Sequence, residues 1–157
     1  MRICLRQRLC LRLLFRVEQS RAVIAKTPDF LALAGSVLVP AGSIGHAEVL
    51  PDDAEVAISA VTASELLVGV ELADDADRER RAALVEGAIA RVEVIAFDLD
   101  VARHHASLLG HVRRAGQPRG AHDLQVAATA RATGRILITT DASAFEGLPN
   151  VAFRLLG

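Results

Sequence analysis

The chain has 157 residues and a formal net charge of −1, and 52% of its residues are hydrophobic. This composition predicts one folded domain with a substantial core, and it excludes a disordered chain or a protein that holds nucleic acid by bulk positive charge. Two cysteines and the absence of tryptophan and tyrosine also exclude a disulfide framework, a four-cysteine zinc site and an aromatic base-stacking surface.

Residues 1–21 differ in charge from the rest of the chain. They hold six arginines and one acid, whereas residues 22–157 carry an excess of acids. Because the arginines interrupt the leucines, we predict no secretory signal here. The longest uncharged run of the chain, 30–45, is broken by Pro40 and three glycines, so we predict no membrane-spanning helix. A basic surface helix and a start foreign to the native domain both stay open. We therefore divide the chain into an atypical basic segment, 1–21, and a domain, 22–157.

Beyond residue 54, apolar runs alternate with helical patterns. The runs are short and rich in β-branched residues, which predicts strands at 55–61, 92–97, 135–140 and 150–153. The segments between them predict helices that begin at Thr62, at about residue 77, at Asp98 and at Ala121. This alternation predicts an α/β fold with a mostly parallel sheet between helices. The glycines and prolines of 35–53 predict a long loop or an irregular helical region.

Local signals predict where these helices begin and end. Thr62, followed three residues later by Glu65, fits a capping box at a helix start. Asp98 fits an N-cap, and Gly116 fits the end of the same helix. The helix predicted over 121–133 is almost wholly apolar after its first turn, so we expect it to be buried.

Three acids occupy positions where a parallel sheet commonly binds ligands. Glu65 follows a predicted strand, Asp123 lies in the first turn of the apolar helix, and Asp141 directly follows another strand. The carboxyl ends of parallel strands meet at one edge of the sheet. Carboxylates gathered there would repel one another, and Mg²⁺ or Mn²⁺ would relieve that repulsion and could activate water for attack on a phosphodiester.

Each acid also has a purely structural explanation. Glu65 could complete the capping box, Asp123 could complement the helix dipole, and Asp141 could cap the turn that follows it. The interpretation as a metal site depends on the three acids together. Arginines near the loop before Asp123 are candidates for contacts with RNA phosphates, with a solvated helix end as the alternative. These arginines are Arg113, Arg114 and Arg119.

Three short motifs contain these acids. They are Ala63-Ser-Glu65-Leu-Leu-Val-Gly69, Gly120-Ala-His-Asp123-Leu-Gln-Val-Ala-Ala128 and Thr139-Thr-Asp141-Ala-Ser-Ala-Phe145. In this order they resemble the successive motifs of the PIN domain, in particular those of the VapC toxins of bacterial VapBC toxin–antitoxin pairs, from about residue 54 to the end. The resemblance implies a three-layer α/β/α fold and a Mg²⁺-dependent endoribonuclease with Glu65, Asp123 and Asp141 as catalytic and metal-binding residues. It also implies a homodimer in the cytoplasm and a cognate VapB-like antitoxin.

The chain departs from the family's pattern at its opening motif, which is a strand ending in Asp, then Thr or Ser, then Ser or Asn. Glu18 is the nearest candidate to replace that Asp as a metal ligand, although its longer side chain would shift the carboxylate by more than about one ångström. The family often has an acid just before the last phenylalanine, where this chain has Ala144. Three functions therefore stay open: a metal-dependent endoribonuclease toxin, a PIN-like scaffold that binds antitoxin without cleaving RNA, and a different α/β hydrolase or phosphate-binding protein that needs no divalent metal.

Overall fold

The computed structural model describes residues 36–40 and 55–155 of the chain. Within these ranges the strands are β1 (Ser36–Pro40), β2 (Ala57–Ser59), β3 (Glu93–Ile95), β4 (Arg135–Thr139) and β5 (Phe153–Leu155). The helices are α1 (Ala60–Glu71), α2 (Asp75–Ile89), α3 (Leu99–Ala115) and α4 (Ala121–Ala132), and a short 3₁₀ turn covers Ala142–Ala144. The predicted basic segment, 1–21, and Glu18 lie outside the described residues.

The five strands form one sheet in the order β3-β2-β1-β4-β5. β2 pairs with β3 in parallel, and so does β4 with β5, whereas β1 is antiparallel to both of its neighbours. Ser36 at the start of β1 lies opposite Thr139 at the end of β4. Four strands therefore point the same way, which confirms the predicted mostly parallel sheet, and the strand at its centre is reversed.

Helices cover both faces of the sheet. Side chains alternate along β1, so that Val37 and Val39 pack on one face and Leu38 on the other. The first face is covered by α1 and α2, with Leu66, Val70, Val85 and Ala88 in its core. The second face is covered by α3 and α4, with Leu108, Val112, Leu124 and Ala127 in its core. The predicted three-layer α/β/α architecture is thus confirmed.

The start of α1 differs from the prediction. Buried Ser59, the last residue of β2, is its N-cap, and its Oγ accepts a hydrogen bond of 3.0 Å from the Thr62 backbone N–H. Thr62 therefore lies inside the first turn rather than before it, and the capping box with Glu65 is wrong. The strand predicted over 55–61 is correspondingly shorter, because the helix already begins at Ala60.

The predicted ends of α3 and the burial of α4 agree with the structure. Asp98 accepts a hydrogen bond of 2.9 Å from the Val101 N–H, and Gly116 ends α3 in the left-handed conformation at φ 64°. Six of the seven residues from Leu124 to Ala130 in α4 are buried, as its apolar sequence predicted. They are Leu124, Val126, Ala127, Ala128, Thr129 and Ala130.

Residues 35–53 were expected to form a long loop or an irregular helical region, and both alternatives are wrong at the beginning of this range, because β1 occupies the centre of the sheet. A five-residue apolar run that ends in Pro40 gives no helical or alternating pattern, so its pairing depends on strands far away in the sequence. Other element boundaries shift by a few residues. α2 begins at Asp75 because Asp74 caps it, and β5 begins only after a turn at Asn150 (φ 56°). Within the described ranges, no helix is both long and apolar enough to cross a membrane.

Candidate functional site

The three predicted acids lie on elements that meet at one edge of the sheet. β2 and β4 point the same way, and each is followed at its carboxyl end by an element that carries an acid. Glu65 lies in the second turn of α1, which follows β2, and Asp141 follows β4. Asp123 lies in the first turn of α4, on the face of the sheet that α3 and α4 cover. This is the edge at which parallel sheets commonly bind ligands.

Asp123 is the electrostatic centre of this group. Partial burial, and then the negative charges of Glu65 and Asp141, raise the pKa of the Asp123 carboxyl above its ordinary value. His122 acts in the opposite direction on the same pKa. The three acids are therefore close enough for their charges to interact, as the sequence predicted from their places on the fold.

Glu65 pairs with His122, a residue that the sequence analysis did not select. The Nδ1 atom of His122 lies 2.7 Å from Oε1 of Glu65, and both side chains are at least half exposed. This contact joins α1 to α4 across 57 positions of the sequence. No local pattern predicts such a pair, and the only sequence signal for His122 is its place next to Asp123. The alternative explanation of Glu65, as part of a capping box, does not hold, because the N-cap of α1 is Ser59.

Asp141 caps the turn that follows it, which was the structural explanation considered for this acid. Its Oδ1 atom accepts hydrogen bonds from the backbone N–H of Ser143 at 3.0 Å and from the Ser143 hydroxyl at 2.6 Å. Its own backbone N–H donates to Oγ1 of Thr139 at 3.1 Å. Asp141 thus caps the 3₁₀ turn, and the same bonds fix the direction of its carboxylate. A capping role and a ligand role are compatible, because a carboxylate offers two oxygens.

The three predicted arginines have different surroundings. The Nη2 atom of Arg119 donates a hydrogen bond of 3.1 Å to the carbonyl of Glu146, which fastens the loop before α4 to the turn after Asp141. Arg113 and Arg114 are exposed in the last turn of α3. Arg119 therefore has a structural contact, and RNA binding by the three arginines stays a prediction.

The donor chemistry of the site fits a divalent cation, although the side chains do not form a ready-made shell. Within the described part of the chain, no three His, Cys, Asp or Glu side chains converge on one metal position. Glu65 is turned to His122 and Asp141 to Ser143, which keeps oxygens of both acids in other contacts. Mg²⁺ usually takes only one or two carboxylates and keeps several waters. Asp123, whose pKa is raised by partial burial and then by the neighbouring negative charges, suits such a site.

Comparisons with known proteins identify similar chains. The model of the PIN domain family matches residues 36–150, a range that includes all three acids. The tRNA(fMet)-specific endonuclease VapC of Salmonella typhimurium is 34% identical over 94 residues, which are 60% of this chain and 70% of that protein.

Solved structures give the same relationship. DNA-bound VapBC from Salmonella typhimurium is 31% identical with a TM-score of 0.60, and the alignment covers 63% of this chain and 74% of that chain. VapBC-5 from Mycobacterium tuberculosis is 34% identical with a TM-score of 0.57, and the alignment covers 63% of this chain and 80% of that chain.

Proposed function

Because the chain belongs to the PIN-domain family, we propose that it is a VapC-type toxin, an endoribonuclease that needs a divalent cation. The predicted family and fold are confirmed, and the similar curated proteins are named as VapC nucleases. The observation that carries the proposal is the grouping of three acids around Asp123, whose pKa is raised by burial and by the other two. Such a concentration of negative charge is typical of cation-dependent phosphodiesterases.

The chain's own residues take distinct roles in this proposal. Asp123 is the principal ligand for Mg²⁺ or Mn²⁺, because the buried helix α4 fixes it in place. Asp141 is the second ligand, directed by Ser143. Glu65, paired with His122, completes the site from the solvent side and can accept a hydrogen bond from the attacking water. A bound cation supplies positive charge that stabilises the reacting phosphate and increases the acidity of a bound water. Glu18 stays a predicted further ligand.

RNA binding is proposed for the exposed end of α3. Arg113 and Arg114 lie near the loop that leads to Asp123, so phosphates held there would approach the site. Arg119 would contribute through its exposed part. The name of the Salmonella relative makes a tRNA the first substrate to test.

The test is RNA cleavage by the purified chain with Mg²⁺, with Mn²⁺ and with EDTA, on total RNA and on purified tRNA. We expect discrete products that need the cation and that disappear in Asp123→Asn. Asp100→Asn is the matched control, because Asp100 is also an acid in the first turn of a helix but lies on α3. Cleavage that persists in EDTA, or in Asp123→Asn, contradicts the proposal.

A scaffold that binds antitoxin without cleaving RNA is the second candidate. β1, at which the family match begins, contains Ser-Val-Leu-Val-Pro and no acid. The described acids also do not converge on one position. Calorimetric titration with Mg²⁺ separates the two functions: saturable binding that Asp123→Asn removes supports the nuclease, whereas a folded chain that binds no cation supports the scaffold.

A VapB-like antitoxin is the proposed partner, since the similar solved structures include VapBC complexes. The last turn of α1 exposes Val68, and Leu72, the residue that caps the C-terminus of this helix, is 76% exposed. The two are four residues apart, so their side chains lie next to each other at this end of the helix. Leu72→Arg should weaken antitoxin binding about tenfold or more, the usual loss when a buried anchor is removed, without changing RNA cleavage. Leu99→Arg is the control, because Leu99 is similarly exposed on another helix. A homodimer in the cytoplasm completes the proposal, and sedimentation analysis tests the dimer.

A further inference from the structure

Gly120 and Asp123 approach each other unusually closely at the start of α4. A Cβ atom added to Gly120 would lie 2.3 Å from Oδ2 and 3.2 Å from Cγ of Asp123. At the other described glycines, an added Cβ would meet nothing closer than 3.2 Å, and there only the end of an arginine side chain. The space beside Gly120 is thus already taken by the proposed principal ligand.

The backbone of Gly120 does not itself require glycine. Its φ of −55° and ψ of 139° are accessible to any residue. Helix capping does not require glycine either, since Ser, Asp and Asn rank above it at this position. The other three long helices use such residues, Ser59, Asp74 and Asp98, and each accepts a hydrogen bond from the helix. α4 has no side-chain cap.

We infer that Gly120 is a positioning residue: the absence of its side chain leaves the space that the Asp123 carboxylate needs for its present orientation. The inference rests on the proposed nuclease site, for which it adds a residue that touches neither metal nor RNA. Glycine at this position thus leaves α4 without a side-chain cap, and the space that a side chain would fill is used by the Asp123 carboxylate.

A side chain at position 120 would displace the acid rather than the helix. The atoms in conflict are at the end of the Asp123 side chain, which can rotate to another staggered conformation. Moving the backbone instead would disturb a helix whose residues Leu124 and Ala127 are buried in the core. The carboxylate should therefore turn away while α4 stays in place.

Gly120→Ala and Gly120→Ser test this inference. Serine is the sharper variant, because it can cap α4 while it introduces the same Cβ atom. We expect NMR couplings or a crystal structure to show a changed χ1 of Asp123 in both variants. We expect Mn²⁺ affinity, measured by calorimetry, to fall at least tenfold in both, and the melting temperature of Gly120→Ser to equal or exceed that of the native chain.

Gly69→Ala is the matched control, because a Cβ there would be 3.9 Å from its nearest neighbour. It should leave the χ1 of Asp123 and the Mn²⁺ affinity unchanged. Gly120→Ser should raise the melting temperature more in an Asp123→Ala background, where the conflicting carboxylate is gone.

Two outcomes overturn the inference. One is an unchanged Asp123 side chain in Gly120→Ser. The other is failure of both position-120 variants to fold, which would mean that the backbone, not the acid, is displaced. If the native chain binds no Mn²⁺, the proposed function fails, and the conformation of Asp123 still decides the role of Gly120.

Discussion

Helices α1 and α4 bring proposed site acids to the same edge of the sheet, but their N-termini are built differently. α1 is capped by the buried Ser59, and its acid, Glu65, lies one turn further on, half exposed and paired with His122. The N-cap of α4 is Gly120, which has no side chain to cap the helix, and Asp123 occupies the first turn. The start of α1 is thus independent of its acid, whereas the start of α4 is adapted to it. Substitutions at the start of α1 should therefore change the stability of the protein without changing its activity, whereas substitutions at the start of α4 should change both.

The largest expected effect distinguishes the two acids themselves. Asp123→Asn should lower RNA cleavage by at least about 100-fold, because it removes the partly buried, central ligand, and Glu65→Gln should lower it by about tenfold, because that acid is more exposed. Initial rates at saturating Mg²⁺ would measure both losses. An equal or larger loss in Glu65→Gln would make α1, not α4, the main support of the site.

The capping of α1 gives the next effect. Ser59→Ala should lower the free energy of unfolding by about 1–2 kcal/mol, because it removes the cap and leaves buried polar groups without a partner. Urea denaturation measures this loss, and Ser107→Ala, at an exposed serine of α3, is the control. Mn²⁺ affinity should stay unchanged. If it fell together with stability, the independence of α1 from its acid would be refuted.

His122 links the two helices and should have a smaller effect. His122→Ala should lower cleavage by about three- to tenfold, since it removes one hydrogen bond that holds Glu65. Asparagine at position 122 can place an amide nitrogen near the position of Nδ1, so His122→Asn should retain more activity than His122→Ala. Comparing kcat and KM for the two variants provides the test, and identical losses would speak against the hydrogen bond.

The smallest expected effect is that of the Asp123 charge, at the start of α4, on the stability of the protein. Because the pKa of Asp123 is raised in the folded protein, the native state holds this proton more tightly than the unfolded chain, and stability is lost as the pH rises through the folded pKa. Asp123→Asn should therefore raise the melting temperature at pH 7 by about 1–2 °C, a modest gain because solvent screens the partly exposed acid.

Calorimetric scans at several pH values test this sign. The difference in melting temperature between Asp123→Asn and the native chain should shrink as the pH is lowered towards the ordinary Asp pKa of 3.8. With Mn²⁺ present, the native chain should gain stability and Asp123→Asn should gain less. A variant less stable than the native chain at pH 7 would mean that Asp123 stabilises α4 instead.

The sequence predicted features whose causes are local. Both ends of α3 follow from Asp98 and Gly116, which act on the backbone within one turn. The start of α1 was misplaced because Ser59 and Thr62 can both cap a helix, and only the burial of Ser59 at the end of β2 decides between them. The three acids could be selected from their motifs, since each follows a recognisable strand or helix start.

Features that depend on distant parts of the chain could not be predicted in this way. The pairing of Glu65 with His122 exists only once α1 and α4 are packed beside each other. The direction of β1 depends on its pairing with β2 and β4, the second of which lies about a hundred residues later. Neither contact leaves a periodic pattern in the sequence.

The reversal of β1 offers an opportunity for protein engineering. Its first residue, Ser36, rather than its last, lies at the edge where the acids gather, opposite Thr139. Ser36 shares the sheet face of Leu38, the face that α4 covers. A carboxylate grafted at position 36 would reach the site from the middle of the sheet, whereas one at position 40 would face the opposite edge. The fold thus provides an anchoring point for a fourth acid without any change in chain length.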